Sequence, residues 1–92
     1  MIRRRLRITG TVQGVFYRAW FAEQARTLGL AGWVRNRADG SVEAVVEGTP
    51  EQVAAGIDCA RQGSPASRVD DVQVSDEPPA ESLDGFVTRP SE

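Results

Sequence analysis

The run Gly10-Thr11-Val12-Gln13-Gly14-Val15-Phe16-Tyr17-Arg18 is the stretch of this chain whose residue types and spacing could do chemistry. A strand-like alternation precedes it and a helical period follows, so it falls where a helix begins. The first turn of a helix leaves its N–H groups without intrahelical acceptors, and the peptide dipoles place partial positive charge there. Gly14 lets the backbone turn closely enough for several of these donors to converge on one anion. Arg18 falls in the first turn, where its guanidinium can curl back, stay ionised and donate two parallel hydrogen bonds. A backbone nest with a fixed cation is a phosphate cradle. Spacing alone leaves plainer readings open, because glycine-rich strand-to-helix turns are common and an Arg near a helix start is more often simply solvated. The run is not a Walker loop: the Gly-Lys-Ser/Thr ending is missing, and the chain has no lysine at all.

Other chemistries are narrowed by what the sequence lacks. It contains no histidine. That removes His-based acid–base catalysis, a Ser-His triad, a phosphohistidine intermediate and the commonest zinc ligand. Cys59 is the single cysteine, so no intrachain disulfide can form. It lies in a helical pattern far from the glycine-rich run and reads as a small core residue. Trp20, Phe21 and Trp33 read as core rather than ligand-stacking residues. Asn36 precedes a turn, a position where Asn commonly bonds its own loop, and Asp39 reads as a turn residue.

A chain of 92 residues has room for one domain, here residues 1–92, and one modest core. No stretch approaches the roughly 20 apolar residues of a membrane span. Met1-Ile2-Arg3-Arg4-Arg5 leads into strand-like alternation rather than an apolar signal core, so a cytoplasmic, unprocessed chain is expected. Charge is uneven: residues 1–37 carry eight Arg and one Glu, whereas residues 38–92 carry three Arg and twelve acids. A basic third could mark a polyanion-binding face. Pairing of the two halves across neighbouring strands accounts for the asymmetry with no partner.

The elements that must hold the glycine-rich run follow from periodicity. Residues 2–10 alternate, with Ile2, Leu6 and Ile8 on one side and Arg3, Arg5, Arg7 and Thr9 on the other, which predicts a strand with one buried face. From Phe16 to Leu28 the period is helical, with Tyr17, Phe21, Ala25 and Leu28 inward and Gly29 ending the helix. Residues 30–36 and Val42 to Glu47 read as a hairpin around the turn 38–41. Thr49-Pro50-Glu51-Gln52 starts a second helix with a capping box, and Val53, Gly56, Ile57 and Ala60 form its inward face. Gly63-Ser64-Pro65 ends it. Val69 to Val74 is a fourth strand, followed by a polar loop with Pro78-Pro79, and Phe86-Val87-Thr88 a short final one. The order predicts an α+β, ferredoxin-like split β-α-β sandwich: βαββαβ plus a C-terminal strand, two helices on one face of an antiparallel sheet. First and third strands are neighbours in it, so Arg5 and Arg7 are expected near Glu43 and Glu47.

The run Gly10-x-Val12-Gln13-Gly14-Val15-x-x-Arg18 resembles the first signature of the acylphosphatase family. Gly32-Trp33-Val34-x-Asn36-x-x-Asp39-Gly40-Ser41-Val42-Glu43 resembles the second, and Gly63-Ser64-Pro65 fits as well. The resemblance runs from about residue 4 to residue 89 and is weakest in the acidic loop Asp76 to Asp84 and the last strand. Where many microbial members carry Gly-Phe, this chain carries Phe16-Tyr17. The resemblance implies hydrolysis of a small acyl phosphate to a carboxylate and inorganic phosphate, with no metal and no cofactor. Arg18 corresponds to the family's phosphate-binding catalytic Arg and Asn36 to its water-positioning Asn. Gly14, Val15, Phe16, Tyr17 and Arg18 correspond to its phosphate-binding loop.

A site with so few groups is chemically sufficient for that reaction. The leaving group is a carboxylate whose conjugate acid has a pKa of about 4 to 5, so it departs without a general acid. Phosphoryl transfer is mainly positioning and charge stabilisation along an in-line path. Two other readings share the fold. RNA-recognition modules stack bases on aromatics of the central strands, whereas Ser41 to Glu47 is acidic and has none, so nucleic acid is not an expected partner. A phosphate-sensing or regulatory module would keep the cradle and drop turnover. No strongly apolar strand or helix is left over, which makes a monomer away from membranes the default.

Overall fold

The computed structural model describes residues 1–78 and 82–91. Pro79 of the Pro78-Pro79 pair and the middle of the acidic stretch before the last strand lie outside the described residues. The elements are β1 (Ile2–Thr11), α1 (Tyr17–Thr27), β2 (Ala31–Asn36), β3 (Val42–Gly48), α2 (Pro50–Gln62), β4 (Arg68–Asp76) and β5 (Phe86–Thr88). Their order is the βαββαβ arrangement with an added strand, and β4 runs longer at both ends than its apolar pattern alone marks.

The five strands form one sheet in the order β4-β1-β3-β2-β5. β1 pairs antiparallel with both β3 and β4, and β3 with β2. β5 joins β2 in parallel, through Gly32↔Phe86 and Val34↔Thr88, so the sheet is mixed rather than wholly antiparallel. No hydropathy pattern encodes that last choice, because a three-residue strand reads the same in either direction. β2 and β3 also approach closely at Gly32, where an added Cβ would lie 1.8 Å from the Val45 carbonyl oxygen.

Alternation on β1 sends Leu6 and Ile8 into the core with Val34 of β2 and Val42 of β3. From α1, Tyr17, Phe21, Ala22 and Ala25 close this layer; from α2, Val53 and Ala60 do so, while Ile57 is only half-buried. Phe21 stacks parallel to Tyr17 (centroids 6.2 Å apart) and meets Phe86 edge-on at 5.8 Å. Trp33 is buried too, but outside this helix-side cluster. The guanidinium groups of Arg35 and Arg89 lie 4.9 and 4.7 Å from its ring centroid, with Arg5 at 5.9 Å.

Those arginines belong to the charge lattice that absorbs the basic third of the chain. Arg3 bonds Glu47 at 2.9 Å, and Arg5 bonds Glu43 and, at 3.0 Å, Glu77. Arg35 and Arg37 also reach Glu43, at 2.7 and 3.0 Å. Arg7 lies opposite Glu43 as expected, but its ion pair is with another acid. It pairs with Asp39 at 2.7 Å, because Glu43, opposite it in register, is already held by three other arginines.

Candidate active site

Topology brings the two halves of the site together. β1 and β2 each run antiparallel to β3, so they are parallel to one another and end at the same side of the sheet. Thr11, the last residue of β1, and Asn36, the last of β2, therefore share the end at which α1 begins. A β-bulge between Thr9 and Gly10 re-aims the chain just before the loop.

The loop then takes an unusual backbone path. Gly14 has φ +75° and Phe16, the N-cap of α1, has φ +61° and ψ +22°. Among the described residues Phe16 is the only non-glycine with positive φ. Left-handed residues alternating with ordinary ones turn successive N–H groups to a common side, which is the geometry of an anion nest. A Cβ on Gly14 would meet nothing within 4 Å, so glycine is required there by conformation and not by crowding. The first α-helical bond runs from Trp20 N–H to the Phe16 carbonyl (3.0 Å), leaving the N–H groups before it without intrahelical acceptors. No side chain caps this end, and no acid stands in its first turn.

A cleft of ≈ 360 Å³ opens here, lined by Val12, Gly14, Phe16, Tyr17, Arg18, Ala19 and Asn36. Arg18 and Asn36, 18 positions apart in sequence, thus face one space. Val15 is not part of the lining; its side chain packs against the core. Tyr17 contributes to the wall, but its hydroxyl is committed to the Ala60 carbonyl at 2.9 Å. Burial pushes the Tyr17 phenol up, and nearby Cys59 adds to the effect, so it stays protonated. What the loop can offer an anion is therefore its backbone N–H groups and the Arg18 guanidinium.

Two contacts position these groups, and neither was legible as a motif role. Arg18 Nη1 donates to the Arg89 carbonyl at 2.9 Å, tying the cation to the segment after β5. Gln13 Nε2 donates to the Arg37 and Ser41 carbonyls, at 2.7 and 2.8 Å. That amide fastens the loop to the turn following Asn36. Asn36 Oδ1 is buried and meets no donor among the described residues. A buried acceptor of this kind is costly unless a molecule entering the cleft supplies the bond.

Asp39 is a turn residue. Its Oδ1 accepts from the Ser41 N–H (2.9 Å) and Oγ (2.6 Å), and these bonds, with Arg7, hold its carboxyl well below the usual range. Cys59, expected in the core, is only half-buried on α2 and stands outside the core cluster; partial burial and neighbouring Asp58 push its thiol up. Among the described residues, no group of three or more His, Cys, Asp or Glu side chains could hold a metal ion. No helix is long and apolar enough to cross a membrane.

The acylphosphatase family profile matches residues 4–88, spanning this cleft and nearly every element around it. The chain belongs to the acylphosphatase family. It is 54% identical over 90 residues to an acylphosphatase of Rhizorhabdus wittichii, covering 98% of this chain and 90% of that protein. An acylphosphatase of Thermococcus kodakarensis is 54% identical over 85 residues, 92% of each chain. The crystal structure of acylphosphatase from Bacillus subtilis superposes with a TM-score of 0.92 at 35% identity, covering 97% of this chain and 99% of that one. The activity of this chain is accordingly that of an acylphosphatase, and its fold is the one expected.

Proposed function

We propose that the cleft hydrolyses small acyl phosphates without a metal or cofactor, with Arg18 binding the phosphoryl group and Asn36 orienting the attacking water. The observation that carries this reading is the shared cleft. An uncapped helix N-terminus, the Arg18 guanidinium and Asn36, whose amide oxygen is buried without a donor, meet at it. The phosphoryl oxygens accept from the N–H groups of the loop Gly14 to Arg18 and from the guanidinium, whose planar fork matches their spacing. The amide oxygen of Asn36 accepts a hydrogen bond from water and aims a lone pair at phosphorus, in line with the departing carboxylate. Asn is no strong base; the proton passes to the phosphate oxygens as the P–O bond to the acyl group breaks. Water thus adds to phosphorus, and carboxylate and inorganic phosphate leave.

The same reading takes residues 1–92 as one domain acting as a cytoplasmic monomer. Large apolar side chains exposed among the described residues are scattered: Met1, Phe16, Val74 and Val87. Light scattering at the mass of one chain agrees with it.

The deciding experiment measures phosphate release from acetyl or benzoyl phosphate with EDTA present. Wild type is expected to keep its activity in EDTA, and Arg18→Ala and Asn36→Ala to lose about 10²- to 10³-fold or more in kcat, the scale of removing one transition-state donor. Arg18→Lys is expected to be badly impaired, because a point charge does not reproduce the fork. Near-wild-type rates in either alanine variant would falsify the roles assigned.

A further inference from the structure

Phe16 is expensive where it stands. A non-glycine residue with φ +61° carries backbone strain, and at 85% exposure its ring returns almost no burial to the fold. Its side chain neither bonds the end of α1 nor packs into the core. Its side chain contributes instead to the wall of the cleft. Val12 and Tyr17 are buried and close the floor, whereas Gly14, Phe16 and Ala19 are exposed and form the rim. Of these three only Phe16 has a large side chain. A phosphoryl group seated on the N–H groups and Arg18 leaves its acyl substituent nowhere to go but outward, past this rim.

We infer that the Phe16 ring is a specificity element that contacts the acyl group and favours aromatic or bulky apolar acyl phosphates over small ones. This rests on the site assignment proposed above and adds the substrate class to it. Such a contact needs no pocket: a ring at the rim offers one apolar face to an acyl group that stays partly in water. Its strained backbone is kept because the conformation that turns the neighbouring N–H groups inward also throws this side chain out toward the acyl group.

The test compares kcat/KM for benzoyl and acetyl phosphate in wild type, Phe16→Leu, Phe16→Ala and Phe16→Gly. The quantity read is the ratio of the two, since altered loop geometry moves both substrates together whereas a lost acyl contact moves one. The benzoyl-to-acetyl ratio is expected to fall about three- to tenfold in the alanine and glycine variants, the scale of one ring–ring contact, and less in leucine. Phe16→Gly is also expected to melt no lower than wild type, because it relieves the strain. A ratio unchanged across all three variants overturns the inference while leaving Arg18 and Asn36 untouched. Retention of full activity by Arg18→Ala overturns the site assignment and, with it, this one.

Discussion

The two helices of this protein begin in opposite ways. At α2, Thr49 Oγ1 accepts from the Gln52 N–H at 3.2 Å and Gln52 Oε1 accepts from the Thr49 N–H at 2.9 Å. Pro50 removes a further donor, and Glu51 answers the helix dipole. That terminus is capped from within the chain. α1 has a left-handed phenylalanine at its N-cap, no side-chain cap, no acid in its first turn and an arginine where an acid would be stabilising. One physical problem thus has two answers in 92 residues: α2 caps its own end, and α1 leaves its end uncapped, open to the phosphoryl group proposed to bind there. The first end serves stability, and the second is the one proposed to serve chemistry.

That contrast can be attacked from either side. The largest effect is expected from making α1 resemble α2. Phe16→Asp, which tolerates the left-handed conformation, places a negative charge at the rim of the cleft that holds the open N–H groups. Inhibition by inorganic phosphate is then expected to weaken by at least about fivefold, given a charge–charge term of about 1 to 4 kcal/mol near 4 Å. Unchanged phosphate inhibition would mean that the anion sits elsewhere. Next comes Thr49→Ala, which opens α2. It should cost about 1 to 2 kcal/mol in urea denaturation and leave acyl phosphate turnover unaltered; a loss of activity without a loss of stability would contradict the division of labour.

The smallest effect concerns the bond that joins the start of α1 to the end of α2, Tyr17 Oη to the Ala60 carbonyl. Tyr17→Phe is expected to cost about 1 kcal/mol at neutral pH. The raised phenol also sets a pH signature. Its contribution is complete below the unfolded value of about 10 and is lost as the pH climbs beyond it, since the unfolded chain then releases the proton first. Stability of the wild type should therefore fall above about pH 10, and the phenylalanine variant should fall less steeply. Equal slopes would remove Tyr17 as the cause.

The same two helix starts show how far sequence reading reaches. Thr49-Pro50-Glu51-Gln52 announces its cap because the groups involved are side chains, and side chains are what a sequence spells. The cradle proposed at Gly14 to Arg18 is made of backbone N–H groups that every non-proline residue possesses. Residue types there said only that an anion could bind, and the family resemblance supplied the rest. Asn36 is the sharper case. Its letter and place before a turn fit a loop-bonding role equally well; what distinguishes it is an amide oxygen buried at the cleft without a donor, which only coordinates reveal. Trp33 was legible as buried but not as buried beneath arginines, since hydropathy does not say which face of a sheet the helices cover. Arg7 reached Asp39 because Glu43 was already taken, a competition among long side chains that strand register does not record.

The tether on Arg18 bears on when the molecule can work. Arg18 is held by the carbonyl of Arg89, and the N–H of Arg89 is itself bonded to the Val34 carbonyl at 2.9 Å. A chain folded only through β4 would own the loop, the arginine and Asn36, yet the guanidinium would swing unmoored. With Arg18 in the role proposed for it, catalysis waits for the last strand to zip along β2, and enzyme activity becomes a stopwatch for the completion of the fold.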